Sequence, residues 1–585
     1  MKKRSVRKIF AMLLAGLLTV SVLAGCNGGD GGSSTASSAS SAAQSSEAES
    51  QEAPSAAGSE DSSEAQESDA SDGAQNVGAF DEEVTLRVPV YDRGVEGVPT
   101  VNDNYWTGWV QENFGDPNNI KVEYVPIART DVITDYALLA SSKNLPTILM
   151  EYDFPKVAQW AADGYLTTFD MDAFAEAAPT YYETMEKNEL LDFSIMNDET
   201  YFALAERPFW DTGFTYVRFV RMDWLKEIGY DHIPVDPENY EEYLDAMTKI
   251  KEAGLAEYPV GGEVYAVGAD QNYGFRTLPQ DETEWAMYSS VAIPSLGWEP
   301  DYKVLKRMNG EYNAGLMNPE FYITDKESAK ARFVNGETYR YGDYISASVD
   351  WVNSFYEQNP DGELAIEPVP TKPDEKGGTT PAYRADNPFG MIVGFSSTAT
   401  QDEITAAWMY MEWMSQEDVR FEMQWGFEGE NYVMDADSGL PESVGDYEGE
   451  FKQGYNNNKD YWCIASESRN AGTAEEMIPT IVPKGHPQDF TQGVLDVYHG
   501  RVKASEEGYA MTDPLFTTTI DAEVEYGASL LELFKEYRDT LIMTAPEEFD
   551  AKYEELSKNY ADQGFQAVTE GRKEAFEAGQ STHLQ

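Results

Sequence analysis

The stretch YFALAERPFWDTGFTYVRFVRMDWLKEIGY, residues 201–230, decides how the chain is organised. Apolar runs at 201–205 and 214–220 have the composition of strands, and a helix signal follows at 223–229. The turn-rich aromatic loop between the two strands carries Trp210 and Asp211. A strand, a loop, a second strand and a helix are typical of a crossing between two α/β units, and such a loop suits a small polar ligand. The alternative is that Trp210 is a core aromatic in a β-turn.

Candidate strands and helices alternate in the part of the chain that precedes this crossing. Strand signals at 84–94, 120–127 and 145–153 are separated by helix signals at 102–115 and 130–144. The β-α-β-α-β order predicts a parallel sheet with right-handed crossover connections. Ligands of open α/β sheets gather beyond the carboxyl ends of the strands.

The residues at those strand ends are therefore the first ligand-binding candidates. Polar and aromatic side chains stand there, or reach there from the helix at 102–115: Tyr91, Arg93, Trp106, Glu151 and Tyr152. For Tyr91 and Arg93 the alternative is an ordinary position in a surface loop.

Aromatic and acidic residues recur at loops and strand ends further along the chain. The further candidates are Tyr273, Trp285, Asp343, Tyr344, Trp425, Glu428 and Tyr432. The last three close a long helical region, 403–427, whose Met and Trp stripe is more typical of a packed core than of a binding site.

Composition and charge bound the class of protein. The chain has 585 residues, of which 41% are hydrophobic, so it can bury a substantial core. Its 36 Tyr and 12 Trp favour amphipathic surfaces for flat, hydroxylated ligands, although most aromatics of a large protein fill its core. The net charge of −62 repels nucleic acid and anionic lipid, so both are excluded as partners.

The N-terminus has the pattern of a lipoprotein signal peptide. Basic residues precede an apolar run at 9–24, which is too short to span a bilayer comfortably and ends in LAGC. Small residues before a Cys resemble the bacterial lipobox, which predicts lipidation of Cys26; the alternative is an ordinary signal cut near Ala24. The segment after it, to about residue 79, is rich in Ser, Ala, Gly and acidic residues and predicts a disordered tether. A lipidated Cys26 would leave Cys463 without a disulfide partner.

No catalytic or metal-binding motif stands out in the sequence. The four His have no metal-ligand spacing, and no GxSxG, phosphate-binding loop or dinucleotide fingerprint is present. DADSG at 435–439 has the look of half a calcium loop, but a turn fits it better. We therefore predict no cofactor and no metal, while a carboxylate pair suited to glycoside hydrolysis is not excluded by counting.

Four stretches resemble extracellular solute-binding proteins of ABC transporters, in particular the large oligosaccharide-type lipoproteins of Gram-positive bacteria. YVRFVRMDWLKEIGYDHIPVDPENYEEYLDAMTKIKEAG (216–254) resembles that family's R-x-DWL-x-x-G segment. The stretches at 138–150, 157–170 and 389–441 are similar to three others. In GDY, at 342–344, Tyr344 stands where related sugar binders place a Trp.

This resemblance implies a two-lobed α/β fold of the periplasmic-binding-protein type, with a mainly parallel sheet in each lobe and a hinge between them. It implies residues 1–25 as signal peptide, 26–80 as lipidated linker, 81–208 plus 391–585 as the first lobe with C-terminal helices, and 209–390 as the second lobe. It also implies a monomer on the outer face of the membrane, held only by lipid, which passes an oligosaccharide to permease subunits.

Two other functions stay open at this point. A protein of the same fold could take a peptide or another solute. A cell-surface lipoprotein could instead bind or degrade glycans. The sequence favours the binding protein without enzymatic activity.

Overall fold

The structure is a computed structural model that describes residues 79–94, 99–207, 216–234, 240–261, 282–290, 292–369, 371–373, 379–381, 383–384, 387–436, 438–444, 459–467, 469, 472–507 and 510–582. Contacts divide the chain into Met1–Asp72 and Gly73–Gln585, and all described residues belong to the second unit. The signal peptide and Cys26 lie outside the described residues, as do Trp210, Asp211 and Tyr273.

The chain first builds part of one lobe. Its elements are β1 (Val84–Asp92), α1 (Tyr105–Val110), α2 (Asp116–Asn118), β2 (Ile120–Ala128), α3 (Val132–Ser141), β3 (Ile148–Glu151), α4 (Phe154–Ala162), β4 (Leu166–Thr167), α5 (Met171–Ala177), α6 (Pro179–Lys187), β5 (Ile195–Met196), β6 (Glu199–Thr200) and β7 (Ala203–Glu206).

The chain then crosses to the second lobe. Between this crossing and its return the chain forms β8 (Tyr216–Arg221), α7 (Met222–Glu227), α8 (Tyr240–Glu252), α9 (Glu282–Tyr288), α10 (Glu299–Asn313), α11 (Lys326–Val334), β9 (Arg340–Tyr344), α12 (Ile345–Gln358), β10 (Leu364–Ile366), β11 (Thr371–Pro373), β12 (Thr379–Pro381) and β13 (Tyr383–Arg384).

It returns to the first lobe and ends in a helical region. The return comprises β14 (Phe389–Ser396), α13 (Gln401–Ser415), α14 (Glu417–Trp425), β15 (Tyr432–Met434), β16 (Pro441–Ser443) and α15 (Lys459–Trp462). After it come α16 (Ala474–Ile481), α17 (Thr491–Glu506), β17 (Ala510–Met511), α18 (Asp521–Met543), α19 (Phe549–Tyr560) and α20 (Gln566–Glu577).

The first-lobe sheet joins strands from both visits of the chain. β1 and β2 pair in parallel from Val84↔Ile120 to Asp92↔Ala128. Thr147, just before β3, donates its N–H to the carbonyl of Arg87 at 2.9 Å, which sets β3 beside β1. β14 runs antiparallel between β3 on one side and β4 and β7 on the other, so this sheet is mixed and not mainly parallel as predicted.

β14 is the central strand of this lobe, and its sequence shows why. All eight residues of FGMIVGFS are buried, with β3 on one edge of the strand and β4 and β7 on the other. A strand buried on both faces has a continuous apolar sequence rather than an alternating one. The first-lobe core joins this strand to α13 and to residues 86–205.

The second-lobe sheet differs from the expectation in the direction of its strands. Its order is β10-β8-β9, and both pairings are antiparallel, whereas a mainly parallel sheet was predicted. The alternation and composition of a segment predict that it is a strand, but they carry no information about its direction. The direction of β9 depends on its pairing with β8, from which it is separated along the chain by the segment from α7 to α11.

Two of the C-terminal helices pack in the second lobe. α16 and α17 place their apolar residues in the second-lobe core, against β8 and β10. α18 and α19 pack on the segment that contains α10, where Asn309 Nδ2 donates to three carbonyls at the end of α18. The apolar faces of these helices fit either lobe by pattern, and only the packing decides between the two.

Candidate functional site

The carboxyl ends of β1 and β3 bring two tyrosines together. Tyr91 lies near the end of β1 and Tyr152 directly follows β3, and their rings stack with centroids 6.5 Å apart. The Tyr91 hydroxyl donates to the carbonyl of Met150 at 3.3 Å. Burial is the main cause that raises the pKa of both phenols well above the ordinary value, so both are neutral donors.

Arg93, two residues beyond Tyr91, forms a bidentate ion pair. Its Nε and Nη2 donate to the two carboxylate oxygens of Asp460, in α15, at 2.8 and 2.7 Å. The Asp460 side chain is completely buried, while that of Arg93 is one-third exposed. The hydrogen bond to Asp460 raises the pKa of Arg93, and burial raises the pKa of Asp460 against the opposing effect of Arg93.

Arg129, directly after β2, lies over both tyrosine rings. Its guanidinium carbon is 4.8 Å from the centroid of Tyr91 and 5.8 Å from that of Tyr152. Its backbone N–H donates to the carbonyl of Asp92 at 2.9 Å, which fixes the residue beside the end of β1. Its nearest carboxylate is that of Glu151, with Nη1 4.0 Å from Oε2.

A second ion pair borders the same tyrosines and reaches the lobe crossing. Lys459 lies 5.7 Å above the Tyr152 ring, and its ammonium binds the Glu467 carboxylate. The backbone N–H of Glu467 donates to the carbonyl of Glu206 at 2.7 Å. Glu206 is the last residue of β7, just before the chain crosses to the second lobe. The first-lobe cluster, which consists of the Tyr91–Tyr152 pair, Arg129 and the two ion pairs, is therefore linked to this crossing.

The second lobe presents its own aromatic pair where β8 begins and β9 ends. Tyr216 and Tyr344 are paired across these strands, and their rings meet edge to face with centroids 5.7 Å apart. They are 37% and 38% exposed, which is unusual for rings in this aromatic-rich chain. The buried carboxylate of Asp343 accepts from Lys326 Nζ at 3.1 Å and from Trp351 Nε1 at 3.2 Å, so it holds the end of β9 in place.

The remaining described candidates lie apart from these two clusters. Trp106 is buried in the first-lobe core beside Trp109. Trp285 is 1% exposed, and its Nε1 donates to the carbonyl of Thr512 at 2.8 Å, so it packs the C-terminal region together. In this conformation neither ring offers a surface to a ligand.

Trp425 and Tyr432 belong to a small buried cluster with Met477 of α16. This cluster ties the first lobe to a helix that packs in the second lobe. Glu428, in the turn between α14 and β15, is exposed. Of the DADSG segment, residue 437 lies outside the described residues. Asp435 and Ser438 lie between β15 and β16, and Asp435 Oδ1 accepts from the N–H and the hydroxyl of Ser438 at 2.8 Å, as expected for a turn.

The structure also shows site residues that the sequence analysis missed. Arg129 directly follows β2, as Arg93 directly follows β1. Treating the residues after β2 as ligand-binding candidates, as was done for β1, would have found it. Lys459, Asp460 and Glu467 come from a segment far along the chain, and no local pattern marks them. Tyr216 was part of a predicted strand, but its exposure depends on the pairing with β9.

Metal-binding groups and membrane-spanning helices are both absent from the described residues. Within those ranges, no three His, Cys, Asp or Glu side chains are grouped so that they could hold a metal ion. None of the helices in those ranges combines the length and the apolar character that crossing a bilayer requires.

Comparison with known proteins supports one fold family. No curated protein matches the sequence. Among solved structures, alginate-binding protein AlgQ2 without calcium ion superposes with a TM-score of 0.56 at 14% identity, covering 86% of this chain and 100% of that one. FusA of S. pneumoniae in complex with kestose gives 0.55 at 14% identity, over 85% and 99% of the two chains. A solute-binding protein from Bifidobacterium longum subsp. infantis gives 0.55 at 12% identity, over 84% and 98%.

These neighbours confirm the predicted two-lobed α/β fold, and at such identities they concern the fold alone. The family model described as bacterial extracellular solute-binding protein matches residues 109–429, which is more than half of the chain. The protein therefore belongs to the bacterial extracellular solute-binding proteins.

Proposed function

We propose that this protein is the substrate-binding component of an ABC importer that captures an oligosaccharide between its lobes and delivers it to permease subunits. The observation that carries the proposal is the pairing of aromatic rings with charged and polar groups at the edge of each sheet. Aromatic rings pack on the apolar faces of sugar rings, while guanidinium and phenol groups bind hydroxyls. Neighbours of the same fold are described as binding kestose and alginate.

The two clusters flank one crossing of the chain. The first-lobe cluster is linked to Glu206, on one side of the crossing, and Tyr216 of the second-lobe pair follows on the other side. A ligand held near the crossing would therefore touch both lobes. Closure by a hinge would then bury it, and a buried polar group left unmatched costs about 1–3 kcal/mol, which gives specificity. Trp210 and Asp211, between these residues, remain predicted ligand contacts, as does Tyr273.

The finer assignments are part of the same proposal. We place the protein on the outer face of the cytoplasmic membrane of a Gram-positive cell as a monomer, held by lipid on Cys26. The permease and its ATPase are separate chains. The protein releases its ligand intact and is not an enzyme.

The test compares Tyr344→Ala and Tyr216→Ala with the wild-type protein by isothermal titration calorimetry. The probes are kestose, a milk oligosaccharide, an N-glycan, an alginate oligosaccharide and a set of tripeptides to pentapeptides. We expect at least one oligosaccharide to bind, and each variant to weaken it about tenfold, or ~1.4 kcal/mol, because a stacking ring is lost.

Tyr322→Ala is the matched control, because Tyr322 is an exposed tyrosine of the second lobe outside both clusters. Its affinity should equal that of the wild type. Binding of peptides but of no oligosaccharide would refute the proposal. The appearance of new reducing ends on the bound glycan would refute the claim that the ligand is released intact.

A further inference from the structure

The guanidinium of Arg129 lies over two tyrosine rings and makes no hydrogen bond to any described residue. The rings of Tyr91 and Tyr152 lie 4.8 and 5.8 Å from it, and cation–π attraction keeps the group in place. Its side chain is one-third exposed. An arginine carries five N–H donors in a planar fork, so this one keeps donors available toward solvent.

Glu151 does not occupy those donors. The distance of 4.0 Å from Nη1 to Oε2 is too long for a hydrogen bond, although the two charges attract. The other oxygen, Oε1, accepts from the backbone N–H of Tyr152 at 2.8 Å. Glu151 is 1% exposed, so it acts as a fixed counter-charge behind the guanidinium and not as its hydrogen-bond partner.

The other two cations of the cluster are already satisfied by carboxylates. Arg93 is bidentate with Asp460, and Lys459 is paired with Glu467. Each of the three cations has one carboxylate beside it, although the chain as a whole carries a net charge of −62. Of these three cations, Arg129 is the one whose donors are open to an incoming anion.

We propose that the ligand carries an anionic substituent, a carboxylate or a sulfate ester on a sugar ring, and that Arg129 binds it through its guanidinium fork. The planar fork matches two oxygens of one anionic group, and such charge-assisted pairs are stronger than bonds to neutral hydroxyls. Tyr91 has no exposed surface, so it supports Arg129 without touching the ligand, while the half-buried residue Tyr152 is available to the bound group. This inference rests on the proposed function and narrows it to acidic oligosaccharides.

The experiment measures binding of matched acidic and neutral oligosaccharides by isothermal titration calorimetry. The acidic probes are a galacturonate trimer, whose anion is a carboxylate, and a sulfated carrageenan tetrasaccharide; each is paired with its neutral counterpart. The proteins are the wild type, Arg129→Gln, Arg129→Lys and the control Arg332→Gln, whose arginine pairs with Glu337 on the second lobe. Melting curves check that each variant is folded.

We expect one acidic probe to bind at least tenfold more tightly than its neutral counterpart, and the identity of that probe distinguishes carboxylate from sulfate. Arg129→Gln should weaken this binding roughly 10- to 150-fold, the loss of one charged hydrogen-bonding group. Arg129→Lys should keep part of it, since the charge remains but the fork is gone, and Arg332→Gln should leave it unchanged. Added NaCl should weaken the acidic probe more than the neutral one.

Two results separate this inference from the proposed function. Tight binding of neutral oligosaccharides that Arg129→Gln does not weaken would overturn the inference and leave the proposed function standing. Binding of peptides in place of any oligosaccharide, acidic or neutral, would overturn both.

Discussion

Removing either partner of the Arg93–Asp460 ion pair should destabilise the unliganded protein, but by unequal amounts. Arg93→Met leaves a carboxylate whose side chain is completely buried, whereas Asp460→Asn leaves a guanidinium that is one-third exposed to water. Stranding a buried charge costs about 3–5 kcal/mol. Because Lys459 and Arg129 also act on Asp460, we expect the lower end, ~3 kcal/mol, for Arg93→Met. We expect ~1 kcal/mol for Asp460→Asn, the value of an ordinary hydrogen bond.

The loss in Arg93→Met should depend on pH in a defined direction. Burial raises the pKa of Asp460, and without Arg93 that rise is larger, so the folded variant binds a proton that the unfolded chain releases above about pH 4. The penalty is therefore absent below that pH and grows as the pH rises toward the folded-state pKa. Stability relative to the wild type should be partly regained at pH 5.0.

The assay is urea unfolding followed by circular dichroism at pH 7.5 and pH 5.0, with midpoints compared between variants. The double variant Arg93→Met with Asp460→Leu is the control, because it removes both charges and should recover most of the loss. Equal losses for the two single variants, or a loss in Arg93→Met that is the same at both pH values, would refute the reasoning.

Two further changes test the fold and the anchor. Gly394 is in the central strand β14, where an added Cβ would lie 2.8 Å from both methyl carbons of Leu166, so Gly394→Val should lower stability by about 1–3 kcal/mol in the same urea assay. The comparison variant is Gly164→Val. An added Cβ at Gly164 has nothing within 4 Å, but φ there is +73°, so a loss of stability in this variant comes from backbone strain and not from a clash. Cys26→Ala should move the protein from the membrane fraction to the culture medium and abolish palmitate labelling. Retention of the variant on membranes would contradict a lipid anchor at this residue.

The sequence predicted much of the first-lobe cluster, and the reason is geometric. Parallel strands end at a common edge, so Tyr91, Arg93, Glu151 and Tyr152 could be grouped before any contact was known. The structure brings these four together, and their contact with a ligand stays a prediction. Asp460 pairs with Arg93 across 367 residues of chain, and no local pattern encodes such a meeting.

Buried aromatics were harder to place. The sequence around Trp285 and Trp425 has the same composition as the sequence around exposed aromatic residues. In the structure both rings are buried, because distant helices pack against them. Periodicity specifies which face of a helix is apolar and does not specify what covers that face. The same limit explains why the packing partners of the C-terminal helices and the strand directions of the second sheet were not foreseen.

The position of β14 has a consequence for biogenesis. β14, which completes the first-lobe core, is synthesised only after the whole second-lobe segment. The second-lobe core is complete only once α16 and α17 have been synthesised. Neither half can complete its core until most of the chain has been made, so little of the chain is able to fold early in synthesis. Fragments cut between the lobes would each lack an essential interior piece and would be expected to aggregate.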